Sequence, residues 1–198
     1  MDIFSATWQV AVESAGIWPT VVVLGPNQRL FVLSYHRSED EDRVLTAGGT
    51  TCIFGDLEAL NDFIAGPHTG VPVEAHLALE VLSSLSPEGL ALEHFPRALV
   101  DQSLFWIAGG KMLGSEGQAN QLLDTLAFLN DWHTSLEEEG MPGKWPEELD
   151  DAAELLTDLV VTHQITSLEV AERLAGKNLR PVLTEEVARL LSWKTKQN

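Results

Sequence analysis

The hydrophobic period of this 198-residue chain changes once, near Asp56, and no other feature constrains the fold as much. Before that point apolar residues come in short β-branched runs; beyond it they recur every three or four positions, the spacing of one helix face. The runs Thr20-Val21-Val22-Val23-Leu24 and Arg29-Leu30-Phe31-Val32-Leu33-Ser34-Tyr35 flank Gly25-Pro26-Asn27-Gln28, which predicts a hairpin. Neither run alternates cleanly, so both strands should be covered on both faces. Further strands are predicted at 43–47 and 50–55, joined by Gly48-Gly49. Between them and the hairpin, Ser38-Glu39-Asp40-Glu41-Asp42 reads as a solvated loop, since adjacent carboxylates repel and resist burial. Residues 3–15 fit either period. Phe4, Trp8, Ala11, Val12 and Ala15 make a helical face, and Asp2 with Gly16-Ile17 supplies a cap and a stop, so the segment reads as a helix.

Downstream of Asp56 the pattern is helical. Asp56 caps a helix with Leu57, Leu60, Phe63 and Ile64 on its apolar side, ended by Gly66-Pro67. Residues 72–85 offer the stripe Val73, Leu77, Val81 and Leu85 after Pro72. Another helix should span 96–108. The longest runs over 115–138, opened by a capping box at Ser115–Gln118, with Leu122, Leu126, Leu129, His133 and Leu136 inward. A helix at 147–163 buries Leu149, Ala152, Leu156, Leu159, Val160 and His163. Thr166 and Glu169 form a second capping box before two short final helices. The expectation is an α+β fold forming a single domain over 1–198: a small antiparallel sheet (the hairpin plus one or two further strands) within about 1–66, packed against a mainly helical part from about 67 to 198.

Charge is segregated along the chain. The net value is −18, yet six of the 12 Lys and Arg lie at Arg173, Lys177, Arg180, Arg189, Lys194 and Lys196, opposed there by Glu185 and Glu186 alone. The preceding 172 residues carry 28 carboxylates against six cations, a net −22. Such a body repels nucleic acid and anionic membrane. No apolar run approaches the roughly 20 residues that span a bilayer. The start MDIFSATWQV lacks a signal-peptide pattern, so the expected location is the cytoplasm.

Reactive motifs are scarce. Cys52 is the only cysteine and sits in an apolar run, as a structural thiol does. Gly109-Gly110-Lys111 lacks the rest of a phosphate loop, and neither a nucleophile elbow nor HExxH occurs. His133 and His163 lie on helical stripes. In an antiparallel hairpin of their helices they fall about 16 Å apart, too far to share one ion. His76 with Glu80 and His133 with Glu137 have i, i+4 spacing, common by chance in an acidic chain. No catalytic, cofactor-binding or metal-binding residue is assigned, and no cofactor is implied. Ser167 to Gly176 resembles the opening of a helix-turn-helix. The connection to a helix starting at Thr184 is too long for that motif, however, and Glu185 and Glu186 would face phosphate.

The leading functional expectation is therefore a non-enzymatic acidic interaction or regulatory protein, immunity- or inhibitor-like, that binds a basic protein partner. From Glu137 to Asp158 nine carboxylates face Lys144 alone, a pattern that steers a basic partner. The candidate contact residues are Trp145 as anchor with Glu137, Glu138, Glu139, Glu147, Glu148, Asp150 and Asp151. The alternatives are a small-molecule enzyme or ligand-binding protein with a pocket between sheet and helices, and a DNA-associated regulator acting through the basic C-terminal helices.

Overall fold

The computed structural model describes residues 15–38, 41–84, 95–109 and 116–193. Its elements run β1 (Ile17–Gly25), β2 (Gln28–Ser38), β3 (Glu41–Val44), β4 (Ile53–Phe54), α1 (Leu57–Ala65), α2 (Val73–Ser83), β5 (Arg97–Leu99), α3 (Val100–Gly109), α4 (Glu116–Glu138), α5 (Glu147–Val160), α6 (Ser167–Ala175) and α7 (Leu179–Ser192). The fold is α+β, with the strands mainly in the first third and helices after. The helix read at 3–15, apart from Ala15, and the capping residue Ser115 lie outside the described residues, as do Lys194 and Lys196.

The hairpin of β1 and β2 is the centre of the sheet, in register from Ile17 opposite Tyr35 to Gly25 opposite Gln28. Strand order is β3-β2-β1-β5, with β4 also pairing β2. The sheet is not wholly antiparallel: Val21–Val23 of β1 pair in parallel with Arg97–Leu99. Those three residues were read as the first turn of a helix beginning at Pro96. Backbone pairing to an open strand outweighed their local helix pattern, and α3 begins only at Val100. Pro19 lies beyond the reach of β5, so its missing N–H interrupts no ladder there. Glu41 and Asp42, read as loop, instead open β3 half-buried. Arg43 pairs with Glu41, His36 is bonded to Asp42, and the backbone of both pairs with β2.

Both faces of the sheet are covered, as the unbroken apolar runs require. On one face Ile17, Val21, Phe31, Leu33, Tyr35 and Leu45 meet Leu60 and Ile64 of α1 and Ala75, Ala78, Leu79 and Leu82 of α2. On the other, Val22, Val32 and Val44 meet the large helical layer of α3 to α7, centred on Leu122, Leu126, Leu129, Trp132 and Leu136 of α4. Hydroxyl groups on α4 satisfy strand N–H groups that have no ladder partner. Leu99 N–H donates to Thr125 Oγ1 at 3.1 Å and Val44 N–H to Ser135 Oγ at 2.9 Å, while Trp132 Nε1 donates to Thr51 Oγ1 at 2.9 Å. These bonds hold α4 in one register along the sheet.

Two local readings change. The inner face of α2 is Ala75, Ala78, Leu79 and Leu82, not the stripe Val73, Leu77 and Val81, which points outward. Leu85 lies outside the described residues. Ala75 and Ala78 let the helix lie close to the sheet, and Leu79 and Leu82 fill the space beside them. The helix read from Thr184 begins at Leu179, so Gly176, Lys177 and Asn178 alone connect it to α6. Pro181 falls in its first turn, where a missing N–H costs no hydrogen bond. Among the described residues, no helix is long and apolar enough to cross a membrane.

Candidate functional site

The acidic segment chosen from sequence divides into two parts. Glu138, at the end of α4, reaches back to the sheet, accepting from Arg37 Nη1 at 2.6 Å and from Arg43 Nη2 at 3.2 Å. Partial burial pushes its carboxyl up, but the two guanidiniums outweigh that and hold it below the usual range. Glu139 accepts from Thr46 Oγ1 at 3.0 Å, and Asp151 is paired with Lys177 of the α6–α7 turn. Glu137 is exposed, with Oε2 4.0 Å from His133 Nε2. Glu147, Glu148 and Asp150 are exposed in the first turn of α5 and pair with no described cation. Their charge there is favoured by the helix dipole. Trp145, read as an exposed anchor, is half-buried with its ring 5.8 Å from that of His133, edge-on.

Behind that ring lies a buried polar cluster that sequence reasoning missed. His133 is 1% exposed and Glu186 of α7 3%. His133 Nδ1 stands 2.8 Å from Glu186 Oε1 and 3.0 Å from Arg189 Nη2, which also pairs with Glu186. Arg189 donates on to the carbonyls of Pro142 and Lys144 at 3.4 and 3.2 Å. Glu186 looked like a surface carboxylate because the helix was read from the wrong start. With α7 beginning at Leu179, it shares the inner face with Leu179, Leu183, Val187 and Leu190. The cluster ties α7 and the loop before α5 to α4, and leaves His133 Nε2 and Arg189 Nε buried without a hydrogen-bond partner. His163 is exposed beyond the end of α5, with φ 53° and Nδ1 3.1 Å from the Leu159 carbonyl. Among the described residues, no group of three or more His, Cys, Asp or Glu is placed to hold a metal ion. Burial pushes the Cys52 thiol up to about 12, so it stays protonated and unreactive at neutral pH.

The basic terminal helices are also partly committed. Lys177 pairs with Asp151 and Arg189 is held in the cluster, whereas Arg173 and Arg180 are exposed without an ion pair among the described residues.

The surface feature least expected from sequence is the outer face of α2. Val73, Leu77 and Val81 are 83%, 72% and 43% exposed. At steps of four they form one stripe, about 12 Å long at 1.5 Å per residue. Exposed carboxylates flank it: Glu74 and Glu80 on α2, with Glu58 and Asp62 on the neighbouring α1.

A cavity of about 260 Å³ opens between the sheet and α4. Its walls include Trp18, Phe128 and Ala127, the buried Thr20 and Ser34 hydroxyls 3.3 Å apart, and the charged groups Asp42, Arg43, Arg97, Asp124 and Asp131. Desolvation, then repulsion by Asp42, raises the Asp131 carboxyl to about 7 against the attraction of Arg43. Desolvation alone pushes Asp124 up.

No protein-family model and no curated protein matches this sequence. Among solved structures, the fold is similar to that described as "The crystal structure of SatS c-terminal domain in complex with bromine", with a TM-score of 0.51 and 16% identity over 88% of this chain and 94% of that one. At that identity the likeness concerns the fold alone.

Proposed function

We propose that this chain is an acidic interaction protein without a catalytic centre, and that it takes a basic amphipathic helix of a partner protein on the outer face of α2. The observation that carries this reading is the exposed stripe Val73, Leu77 and Val81. Single exposed aliphatic side chains are ordinary. Three aligned on one helix, facing solvent while Ala75, Ala78, Leu79 and Leu82 face the core, are the anchors of helix-on-helix recognition, which reads side chains at steps of three and four. Flanking Glu74, Glu80, Glu58 and Asp62, within a chain of net charge −18, select lysine and arginine at the rim of the partner. The ridge of Glu147, Glu148 and Asp150 contributes to long-range attraction, which raises the association rate more than the affinity.

The test is fluorescence anisotropy with a labelled Leu/Lys amphipathic helical peptide, against a peptide of the same composition with its apolar face scrambled. The amphipathic peptide should bind, weakening about tenfold between roughly 50 and 300 mM salt. Leu77→Glu should weaken it by a further factor of about ten. Equal binding of both peptides would reduce the interaction to bulk charge and sink the reading. Self-association of the protein that Leu77→Glu abolishes would overturn it too, assigning the stripe to a second copy.

A further inference from the structure

The cavity between the sheet and α4 has a chemistry that protein docking on α2 does not use. Asp124 and Asp131 are two helical turns apart on α4, so their carboxylates are about 10 Å apart along the axis. Ala127 and Phe128 lie between them, and Trp18 lines the cavity from β1. Neither carboxylate accepts a hydrogen bond from a described residue. The remaining charges are committed or peripheral. Asp42 is held by His36, 2.5 Å away, Arg43 is paired with Glu41 and Glu138, and Arg97 is exposed at the edge on β5.

A single metal ion binds oxygen ligands at about 2.0–2.6 Å and cannot join groups this far apart. An anion would face three carboxylates. A volume near 260 Å³ lies below the size of drug-sized sites and suits a short chain. Two separated carboxylates with apolar wall between them match a ligand charged at both ends.

We propose that this cavity binds a linear aliphatic diamine, one ammonium on Asp124, the other on Asp131, and the methylene chain against Ala127, Phe128 and Trp18. The aromatic rings favour the chain and, at its ends, the cations. Binding is linked to protonation: an Asp131 carboxyl raised to about 7 must lose its proton to pair with an ammonium group. Affinity therefore rises with pH through neutrality, by about tenfold between pH 6 and pH 8 for one proton released. The groups facing Asp131 are Asp42 and Arg43 from β3, Asp124 on its own helix and Arg97 from β5. His36 stands behind Asp42 and is bonded to it.

Isothermal titration calorimetry of the full chain with 1,5-diaminopentane and with n-pentylamine tests the assignment. The diamine should bind about tenfold more tightly, through its second ion pair. Asp131→Asn should remove that advantage together with the pH dependence, whereas the double variant Glu147→Gln/Glu148→Gln on the α5 ridge should change neither. Equal affinities for the two amines overturn the proposal. So does undiminished diamine binding in Asp131→Asn, or a loss in the ridge variant, which would assign binding to general surface charge. Pairing at the other end is read with Asp124→Asn, an exposed position that folding tolerates; unchanged diamine affinity there is equally fatal. Because α2 is untouched, failure here leaves the peptide result standing, and the reverse holds.

Discussion

The two faces of the sheet are covered in different ways. The α4 face is deep and locked: five helices bury Trp132 and a row of leucines, and side-chain hydroxyls reach the N–H groups of Val44 and Leu99. The α2 face is thin. Two short helices cover it, α2 contacts it through Ala75, Ala78, Leu79 and Leu82, and a second aliphatic row, Val73, Leu77 and Val81, points to solvent. An apolar stripe at helical spacing is therefore core on α4, whereas α2 carries one such row inward and a second outward.

Breaking the locked side should have the largest effect. Glu186→Ala leaves Arg189 and His133 without their shared carboxylate, and should cost about 3–5 kcal/mol in urea unfolding; a loss below about 1 kcal/mol would show that the cluster is not holding α7. Next comes a direct contrast between helices. Leu129→Ala, deleting a fully buried side chain, should cost about 2–5 kcal/mol, while Leu77→Ala should stay within about 0.5 kcal/mol. Similar losses at both positions would mean that α2 is buried by its stripe after all. Thr125→Val leaves the Leu99 N–H without an acceptor, and should cost about 1–3 kcal/mol with faster amide exchange at Leu99.

The smallest effect concerns Asp131. Its folded-state carboxyl titrates near 7 against 3.8 for an ordinary one, so the folded state holds more protons than the unfolded state between those values. Stability therefore falls as pH rises from about 4 to 7 and changes no further above that range. Asp131→Asn should remove the penalty and raise stability at pH 8, with no gain at pH 4. Water still reaches part of the group, so the gain should be about 1 kcal/mol. Thermal melts at both pH values measure it, and a gain that is equal at both would rule out titration as its cause.

Local signals were legible where one element's own residues decide the outcome. Asp56 caps α1 by accepting from the Ala59 N–H at 2.8 Å, and Thr166 with Glu169 forms the capping box of α6. The hairpin and the α4 stripe from Leu122 to Leu136 also lie where their patterns place them. Misreadings fell where a neighbour decided. β5 exists because β1 had an open edge, α2 faces inward with the row Ala75, Ala78, Leu79 and Leu82 because that row packs against the sheet, and Glu186 is buried because His133 and Arg189 receive it. The cavity belongs to the same class, since Trp18, Arg43, Arg97 and Asp131 come from four separate elements.

By itself, then, the chain determined the hairpin, most of the helices and the α+β class, because periodicity, capping and turn chemistry act within a few residues. Which face of α2 met the sheet, and which carboxylates became desolvated or paired, was decided only by the tertiary structure. Side-chain packing and charge burial depend on atoms brought together from distant positions, and no local pattern encodes them.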